Sequence, residues 1–375
     1  NVPINENLKV TDNTRIKSSI KTILYIIKKG GTCILISHMG RPKGFQKKLS
    51  LKNIVKDLEH LLNMKITFLN DCIGDRVKEA CKKAKNGEVI LLENLRFYPE
   101  EVSAQVGFAK SLSMLGEVYI NDAFGAAHRN HASTGILPSF FKGKKAMGFL
   151  LSKEVEAIEK FFKNGKKPVL SVIGGAKVSS KIQILKNLIK VVDDLIIGGG
   201  MAYTFIKAMG GQIGNSICEE GFLDEAKKIL LLAKNRNVNL HLPVDVVASE
   251  KFSNNAKTTI TDIHDIPKNM EGLDIGPTTI IKFDKIIHNS KTILWNGPLG
   301  VFEMSNFQNG TKQIAISITN ATKREAFSLV GGGDSISAIK LFGLDDKFSY
   351  ISTGGGAMLE SIEGKVLPGI KAILN

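Results

Sequence analysis

The chain of 375 residues has few cysteines and no apolar run long enough to span a membrane. No Cys-x-x-Cys pair and no histidine at metal-ligand spacing accompanies its cysteines, which are Cys33, Cys72, Cys81 and Cys218. This pattern argues against a zinc site and a disulfide framework. No charged-then-apolar leader opens the chain, so we expect a cytoplasmic protein with reduced thiols and no membrane partner. The first residue is Asn1 rather than methionine, and we expect native sequence in front of it.

Arginine is also scarce, with only seven among 51 basic residues. Where lysine is the default cation, an arginine suits a position that needs a planar, two-pronged donor for phosphate or carboxylate. Chance placement is the alternative. Four arginines near the ends of apolar runs are the candidates: Arg15, Arg41, Arg96 and Arg129. The other three stand in helical or polar surroundings and are expected on the surface: Arg76, Arg236 and Arg324.

Acidic residues are too few to balance the lysines, and the net charge is +15. Residues 1–150 carry 24 basic and 13 acidic side chains, whereas residues 151–375 carry 27 and 23. The first half therefore carries most of the excess positive charge, and we expect it to bind an anion. A non-catalytic nucleic-acid-binding protein remains an alternative on charge alone, although no basic run is interleaved with aromatic residues. A small anionic substrate is equally compatible.

Short apolar runs alternate with helical periods along the whole chain, which predicts parallel strands joined by crossover helices. In the first half the predicted strands are 32–37, 65–69, 88–93 and 117–121, and 51–62 is a predicted helix. We expect an α/β protein with two Rossmann-like parallel-sheet lobes joined by a central helix and hinge. The expected lobes are 1–150 for the acid and 164–350 for the nucleotide, with the helix at 151–163 and a final segment, 351–375, returning toward the first lobe.

The helix that joins the lobes is predicted from its apolar spacing. Leu151, Val155, Ile158 and Phe162 recur at i, i+4, i+7 and i+11, which places them on one helical face. A glycine and a proline follow within six residues and end the helix.

Strand-like runs in the second half repeatedly end in glycine. The endings are Gly174–Gly175, Gly198–Gly200, Gly331–Gly333 and Gly354–Gly356. In a parallel sheet these glycines share one edge, where backbone N–H groups and helix dipoles can bind phosphate. A tight strand-to-helix turn explains any single ending equally well. Neither standard nucleotide fingerprint is present, so we expect a nucleotide cradle of another kind; a nicotinamide-dependent Rossmann enzyme stays a weaker alternative.

Three charged side chains stand close to these glycines. Asp334 follows the third glycine group at a predicted helix start, where a carboxylate can bind Mg²⁺ or merely cap the helix. Lys177 and Lys181, four residues apart, are predicted on one helical face, where they would neutralise a transferring phosphoryl group or simply be solvated.

Three strand endings in the first half combine arginine with histidine or asparagine. They are Ser37-His38-Met39-Gly40-Arg41-Pro42, Glu93-Asn94-Leu95-Arg96-Phe97 and the segment from Asn121 to His131. A histidine in a turn is often only a loop residue. Together with Arg15, however, three such turns on one sheet edge predict a basic basket for a small phosphorylated carboxylic acid.

These motifs resemble the phosphoglycerate kinase family along the whole chain. The resemblance is carried by Asn1-Val2-Pro3, the first two turns above, Asp122-Ala123-Phe124-Gly125, Gly174-Gly175-Ala176-Lys177-Val178, Trp295-Asn296-Gly297-Pro298-Leu299-Gly300-Val301-Phe302-Glu303 and Gly331-Gly332-Gly333-Asp334. It implies a cytoplasmic, monomeric glycolytic kinase. The implied reaction moves a phosphoryl group from 1,3-bisphosphoglycerate to Mg-ADP, giving 3-phosphoglycerate and ATP, and no nucleic-acid partner is expected.

The resemblance also implies a role for individual residues. Those implied to hold the acid are Asn1, Arg15, His38, Met39, Gly40, Arg41, Arg96 and Arg129. Those implied to line the nucleotide site are Gly175, Ala176, Lys181, Gly198, Gly276, Asn296, Glu303, Gly332, Gly333, Asp334 and Ser335, with Asp334 meeting Mg²⁺. Those implied to act on the transferring group are Arg15, Lys177, Lys181, Gly354, Gly355 and Gly356.

Two departures from the family pattern stand out. An arginine and an aspartate that precede the position of Asn1 in the family lie outside this sequence. Ser335 stands where threonine is more usual, and it keeps the hydroxyl.

Overall fold

A computed structural model describes residues 2–375 of the chain. The chain divides into two compact units. Unit 1 runs up to Val155 and includes Val366–Asn375, and unit 2 is Glu156–Lys365. The division falls inside a helix, later than the boundary expected at residue 150. The expected final segment of 351–375 is itself divided, because residues up to Lys365 cluster with unit 2.

Unit 1 is built from short strands and helices in alternation. They are α1 Thr14–Lys28, β1 Cys33–Leu35, α2 Val55–Leu62, β2 Thr67–Phe68, α3 Asp75–Lys83, β3 Val89–Leu91, α4 Pro99–Val102, α5 Val106–Ser113, β4 Tyr119–Asn121 and β5 Lys145–Met147. Helix α6, Phe149–Phe162, crosses the division.

The central strand of unit 1 is β3, which pairs in parallel with β1 and β2. Its side chains alternate between two cores. Val89 and Leu91 pack with residues of α1 and α2, whereas Ile90 and Leu92 pack with Val77 and others of α3. Burial on both faces explains why this strand reads as a continuous apolar run.

Unit 2 begins after α6. Its elements are β6 Val169–Ile173, α7 Ile182–Leu188, β7 Asp194–Ile197, α8 Met201–Ala208, β8 Gln212–Ile213, α9 Leu223–Asn235, β9 Asn239–His241, β10 Asp245–Ser249, β11 Thr258–Asp262, β12 Asp265–Ile266, β13 Glu271–Ile275, α10 Pro277–Asn289, β14 Thr292–Asn296, α11 Asn309–Lys323, β15 Phe327–Gly331, α12 Gly333–Leu341, β16 Tyr350–Ile351 and α13 Gly356–Ile362. Helix α14, Pro368–Leu374, returns to unit 1, where the N–H of Gly369 donates to the carbonyl of Ala127.

A six-stranded sheet in the order β16-β15-β14-β6-β7-β9 forms the centre of unit 2. Every pairing in it is parallel. One core packs Trp295 of β14 and Val172 of β6 against α10 and α11, through Phe283 and Ile314. The predicted α/β fold with parallel sheets is confirmed. The antiparallel sheet β11-β10-β13 is an addition that the sequence patterns did not indicate.

A helix is present where the sequence predicts one, as α6, but it buries a different face. Leu151 is buried as expected, yet its buried companions are Glu154, Ala157 and Phe161. The predicted Val155, Ile158 and Phe162 are only half-buried. A glutamate within the buried stripe hid the true face, because apolar spacing counts a charged residue as exposed. Across residues 2–375, no helix has the length and apolar character needed to cross a membrane.

Candidate active site

The turn after β1 in unit 1 is held by one buried amide. Asn94, fully buried after β3, accepts a hydrogen bond from the N–H of Met39 at 3.2 Å and donates to the carbonyl of Met39 at 2.8 Å. It also donates to the carbonyl of Leu49. Gly40 sits at φ +65° against Leu49, a conformation and a space that suit glycine. Asn94 therefore fixes the His38–Arg41 turn beside Arg96.

Arg96 lies under this turn and is 6% exposed. Its Nη1 donates to the carbonyl of Gly40 at 2.6 Å. Its Nε and Nη2 are buried and have no hydrogen-bond partner within the described chain. Burial first, and then the positive charges of Arg129 and Arg41, lower the pKa of Arg96. A buried cation with two unused donors beside other cations is arranged to receive an anion.

Two histidines of this region, His38 and His131, stay neutral at physiological pH. Burial, with the neighbouring charges of Arg96 and Arg129, lowers the pKa of His38 to about 2 and that of His131 to about 4. The Nδ1 of His131 lies 3.8 Å from Oε1 of Glu101, which is buried and accepts two hydrogen bonds from Ser133. The positive charge of the site therefore comes from guanidinium groups.

The other predicted acid-binding residues of unit 1 differ in exposure. Arg41 is exposed, and Arg15 is exposed in the first turn of α1. Arg129 is half-buried, and its Nε donates to Nε2 of His128. Met39 is 2% exposed, so its side chain belongs to the core and only its backbone faces the turn. Asn1 lies outside the described residues.

In unit 2 the predicted glycine groups do meet along one sheet edge. The N–H groups of Gly174 and Gly175 donate to the carbonyls of Asn296 and Pro298, and that of Gly198 donates to Ile173. These three glycines therefore form tight strand-to-helix turns, because their N–H groups already donate to backbone carbonyl groups. The turn after β15 differs: Gly332 has φ +95°, and a Cβ placed on Gly333 would meet none of the described atoms within 4 Å.

Asn296, at the end of β14, joins the neighbouring turns. Its Oδ1 accepts a hydrogen bond from Nζ of Lys181, and its Nδ2 donates to the carbonyl of Gly331 at 2.8 Å. Ser335 is buried and accepts from the N–H of Gly297 at 2.7 Å. Burial lowers the pKa of Lys181, while the charge of Asp334 opposes that shift. The lysine is thus aimed at the turn that carries Asp334.

The prediction that Lys177 and Lys181 share a helical face is wrong. Helix α7 begins at Ile182, and Lys181 is its N-cap. The segment before it is an irregular loop, in which Ser179 donates through its N–H and hydroxyl to Glu219 at 2.9 and 2.7 Å. Contacts to a residue 40 positions away hold the loop out of helical geometry. Lys177 is exposed in this loop, which comprises residues 174–181 and is here called the lysine loop.

The remaining predicted residues occupy the same edge or its surroundings. Asp334 lies in the first turn of α12, and Ala176 is exposed within the lysine loop. Gly276 is the N-cap of α10, with its N–H bound to the carbonyl of Asp245. Glu303 is exposed. Before α13, the N–H of Gly354 donates to the hydroxyl of Ser352, and Gly355 has φ +50°.

Comparison with known proteins identifies the family of the chain. The sequence profile described as phosphoglycerate kinase matches residues 1–365. The chain belongs to the phosphoglycerate kinase family. The phosphoglycerate kinase of Porphyromonas gingivalis is 47% identical, with 100% of this chain and 95% of the relative covered. That of Dictyoglomus turgidum is 48% identical, with 100% and 93% covered, and the cytosolic enzyme of Triticum aestivum is 46% identical with the same coverage.

Solved structures of the family share the fold. The phosphoglycerate kinase of Coxiella burnetii has a TM-score of 0.92 and 40% identity, covering 100% of this chain and 94% of that one. The enzyme of Pyrococcus horikoshii has a TM-score of 0.81 and 30% identity, with the same coverage. Phosphoglycerate kinases phosphorylate the carboxyl group of 3-phosphoglycerate, with ATP and ADP as the nucleotide substrates.

Several residues of this kinase site escaped the sequence analysis. The sequence patterns assigned no role to Asn94, although its place shortly after a buried strand was a usable signal. Glu101 and Glu219 anchor site segments through hydrogen bonds to Ser133 and Ser179. Nothing local in the sequence marks either glutamate, because both act across 30 or more residues.

Proposed function

We propose that the basic residues of unit 1 bind the 3-phosphoglycerate moiety of the substrate. Arg96 carries this proposal, because two of its donors are buried and find no partner among residues 2–375. A phosphate or carboxylate oxygen satisfies both in the forked geometry that guanidinium favours. Neutral His38 offers a further donor beside it, and Arg15, Arg41 and Arg129 add charge, with Asn1 assigned on the resemblance alone.

We propose that the glycine-edged end of the six-stranded sheet binds the nucleotide. Lys181 supports this assignment, since Asn296 aims its ammonium group toward the turn of Asp334. The open backbone at Gly333 gives phosphate oxygens access to N–H groups at the start of α12, and Gly332 packs closely against Asn296. The glycines that the structure finds paired, among them Gly175 and Gly198, serve this site by allowing the turns to pack closely.

The finer proposal for the metal is Mg²⁺ held by Asp334. Residues 2–375 contain no cluster of three or more potential metal-binding side chains. A single carboxylate still fits this ion, which usually takes one or two carboxylates together with substrate phosphates and water. Bound there, it supplies charge neutralisation for the phosphate oxygens.

Phosphoryl transfer requires positioning and charge neutralisation more than a general base. In the proposed mechanism an oxygen of the ADP β-phosphate attacks the phosphorus of the acyl phosphate in line, and the bond from this phosphorus to the carboxyl oxygen breaks, so that 3-phosphoglycerate leaves as a carboxylate. Arg15, Lys177 and Lys181 stabilise the equatorial oxygens of the transferring phosphoryl group. Since the N–H of Gly354 is engaged by Ser352, the backbone donors assigned to the transferring group are those of Gly355 and Gly356.

The acid-binding residues belong to unit 1 and the nucleotide-binding residues to unit 2. Reacting atoms must come within about 3.5 Å, so we propose that the units close on each other around α6 during turnover. Small-angle scattering tests this step: the radius of gyration should fall when both substrates are added. An unchanged radius would contradict closure.

A coupled assay of ATP-dependent phosphorylation of 3-phosphoglycerate tests the function. Activity that Arg96→Ala abolishes supports the assignment, and an inactive parent chain would contradict it. The rival nucleic-acid function predicts steeply salt-dependent RNA binding that survives Arg129→Ala. We further propose a cytoplasmic monomer, as cytosolic relatives suggest; sedimentation and cell fractionation check both points.

A further inference from the structure

Residues 296–303, here called the nucleotide loop, leave β14 at Asn296 and end at Glu303. The middle of this loop is held by hydrogen bonds to one hydroxyl. The Oγ1 of Thr311, a fully buried residue, accepts from the N–H of Leu299 at 3.0 Å and from the N–H of Gly300 at 3.1 Å. The N–H of Val301 donates to the carbonyl of Leu273 at 2.8 Å. The loop therefore rests on the first turn of α11 and on β13.

A buried carboxylate connects these two supports. Asp274 of β13 is 2% exposed, and its Oδ2 accepts from the N–H of Gly310 at 2.6 Å. Its Oδ1 accepts from the N–H of Ile275 at 2.9 Å. Gln308, the N-cap of α11, makes no side-chain cap hydrogen bond to the described residues. Asp274 thus supplies, from 36 residues away, the hydrogen-bond acceptor that the start of a helix requires, while burial raises the pKa of its carboxyl group to about 7.

The packing around this carboxylate leaves no spare room. A Cβ on Gly300 or on Gly310 would collide with the Asp274 side chain. The loop and the helix therefore approach the carboxylate through backbone alone. The residue after Ile275 is Gly276, so β13 also leads directly into the start of α10. Asp274 and Thr311 therefore hold the nucleotide loop, the start of α11 and the end of β13 together.

We propose that Thr311 and Asp274 are positioning residues for nucleotide binding: they set the nucleotide loop, without touching substrate, in the shape that receives ADP or ATP. This inference rests on the proposed assignment of the nucleotide to unit 2. It predicts that losing the Thr311 hydroxyl acts on nucleotide affinity while leaving the affinity for 3-phosphoglycerate alone.

The test compares Thr311→Val with Thr311→Ser in the full chain. Valine keeps the shape but leaves two buried N–H groups without an acceptor, whereas serine keeps the acceptor. We expect Thr311→Val to raise the Kd for ADP, measured by calorimetry, and the KM for ATP about tenfold, and Thr311→Ser to stay within about twofold of the parent. The KM for 3-phosphoglycerate should remain unchanged.

Two further variants separate positioning from general damage to α11. Ser317→Ala removes a hydrogen bond from the same helix to Asp284, away from the loop, and should leave ADP affinity unchanged. Asp274→Asn keeps the size of the side chain but turns an amide NH2 group toward one of the two N–H groups that Asp274 accepts from, and should weaken ADP binding as Thr311→Val does. Thermal melting checks that each variant is folded.

Unchanged ADP affinity in a folded Thr311→Val or Asp274→Asn protein would overturn the inference while leaving the proposed function intact. Equal losses for ADP and 3-phosphoglycerate, or a matching loss in Ser317→Ala, would also overturn it, because they indicate general destabilisation. A parent chain that does not bind ADP would overturn the proposed function together with the inference.

Discussion

Replacing Arg96 with methionine should separate the stability of unit 1 from its function. Methionine keeps an apolar stem of similar length and removes the guanidinium. In the ligand-free protein this change relieves two buried donors that lack partners in the described chain. Each such donor costs about 1–3 kcal/mol. The change also forfeits one charge-assisted hydrogen bond to Gly40, worth about 1.5–3 kcal/mol. The ligand-free variant should therefore be as stable as the parent, or more stable.

Substrate binding should move in the opposite direction. Two hydrogen bonds from a guanidinium to an anion contribute about 3–6 kcal/mol together, so the Kd for 3-phosphoglycerate should rise about 100-fold or more. Thermal melting with and without 3-phosphoglycerate measures both effects. The parent should be stabilised by the ligand, and Arg96→Met should not be. Arg96→Lys loses the forked pair of donors, and its surroundings favour the neutral amine, so this variant should bind only weakly.

The ligand-free Arg96→Met variant is predicted to be at least as stable as the parent, and a melting temperature more than about 4 °C below that of the parent would contradict this. For a unit of this size such a shift corresponds to about 1–2 kcal/mol. It would mean that the guanidinium is well satisfied in the folded protein, and that the two donors are not reserved for a ligand. Normal binding of 3-phosphoglycerate by the variant would be equally damaging.

Four further results are expected. Lys177→Ala should lower kcat by about 100-fold or more with little change in either KM, since one donor to transition-state charge is worth about 3–4 kcal/mol, and stopped-flow assays check it. Arg41→Ala should chiefly raise the KM for the acid, as steady-state kinetics will measure. Asp334→Asn should raise the Mg²⁺ concentration needed for half-maximal activity, found by titration. Above pH 6.5, His38 is neutral in both the folded and the unfolded protein. Below pH 6.5, only the unfolded chain takes up a proton at His38, since the pKa of this residue in the folded protein is about 2. His38 therefore lowers the free energy of unfolding by about 1.4 kcal/mol for each pH unit as the pH falls. Urea unfolding of His38→Asn should show a shallower loss of stability with falling pH than the parent.

Local patterns predicted the parts of the fold that depend on local contacts. The strands before Gly174, Gly198 and Gly331 were found because a buried apolar run and its glycine ending lie within a few residues of each other. The lysine loop was misplaced because its shape depends on Glu219, and no periodicity records a contact at that distance. The roles of Asp274 and Thr311 were hidden for the same reason.

The scarce arginines led to the proposed acid site, and the surroundings of Arg96 give a physical reason for an arginine there. Burial beside other cations makes His38 neutral at physiological pH, and the same surroundings lower the pKa of Arg96. A lysine placed there would be driven toward its neutral form as well, because its pKa shifts readily on burial. Guanidinium starts from so high a pKa that it keeps its charge despite the shift. Arginine is therefore favoured at position 96, where the proposed site is buried and crowded with positive charge.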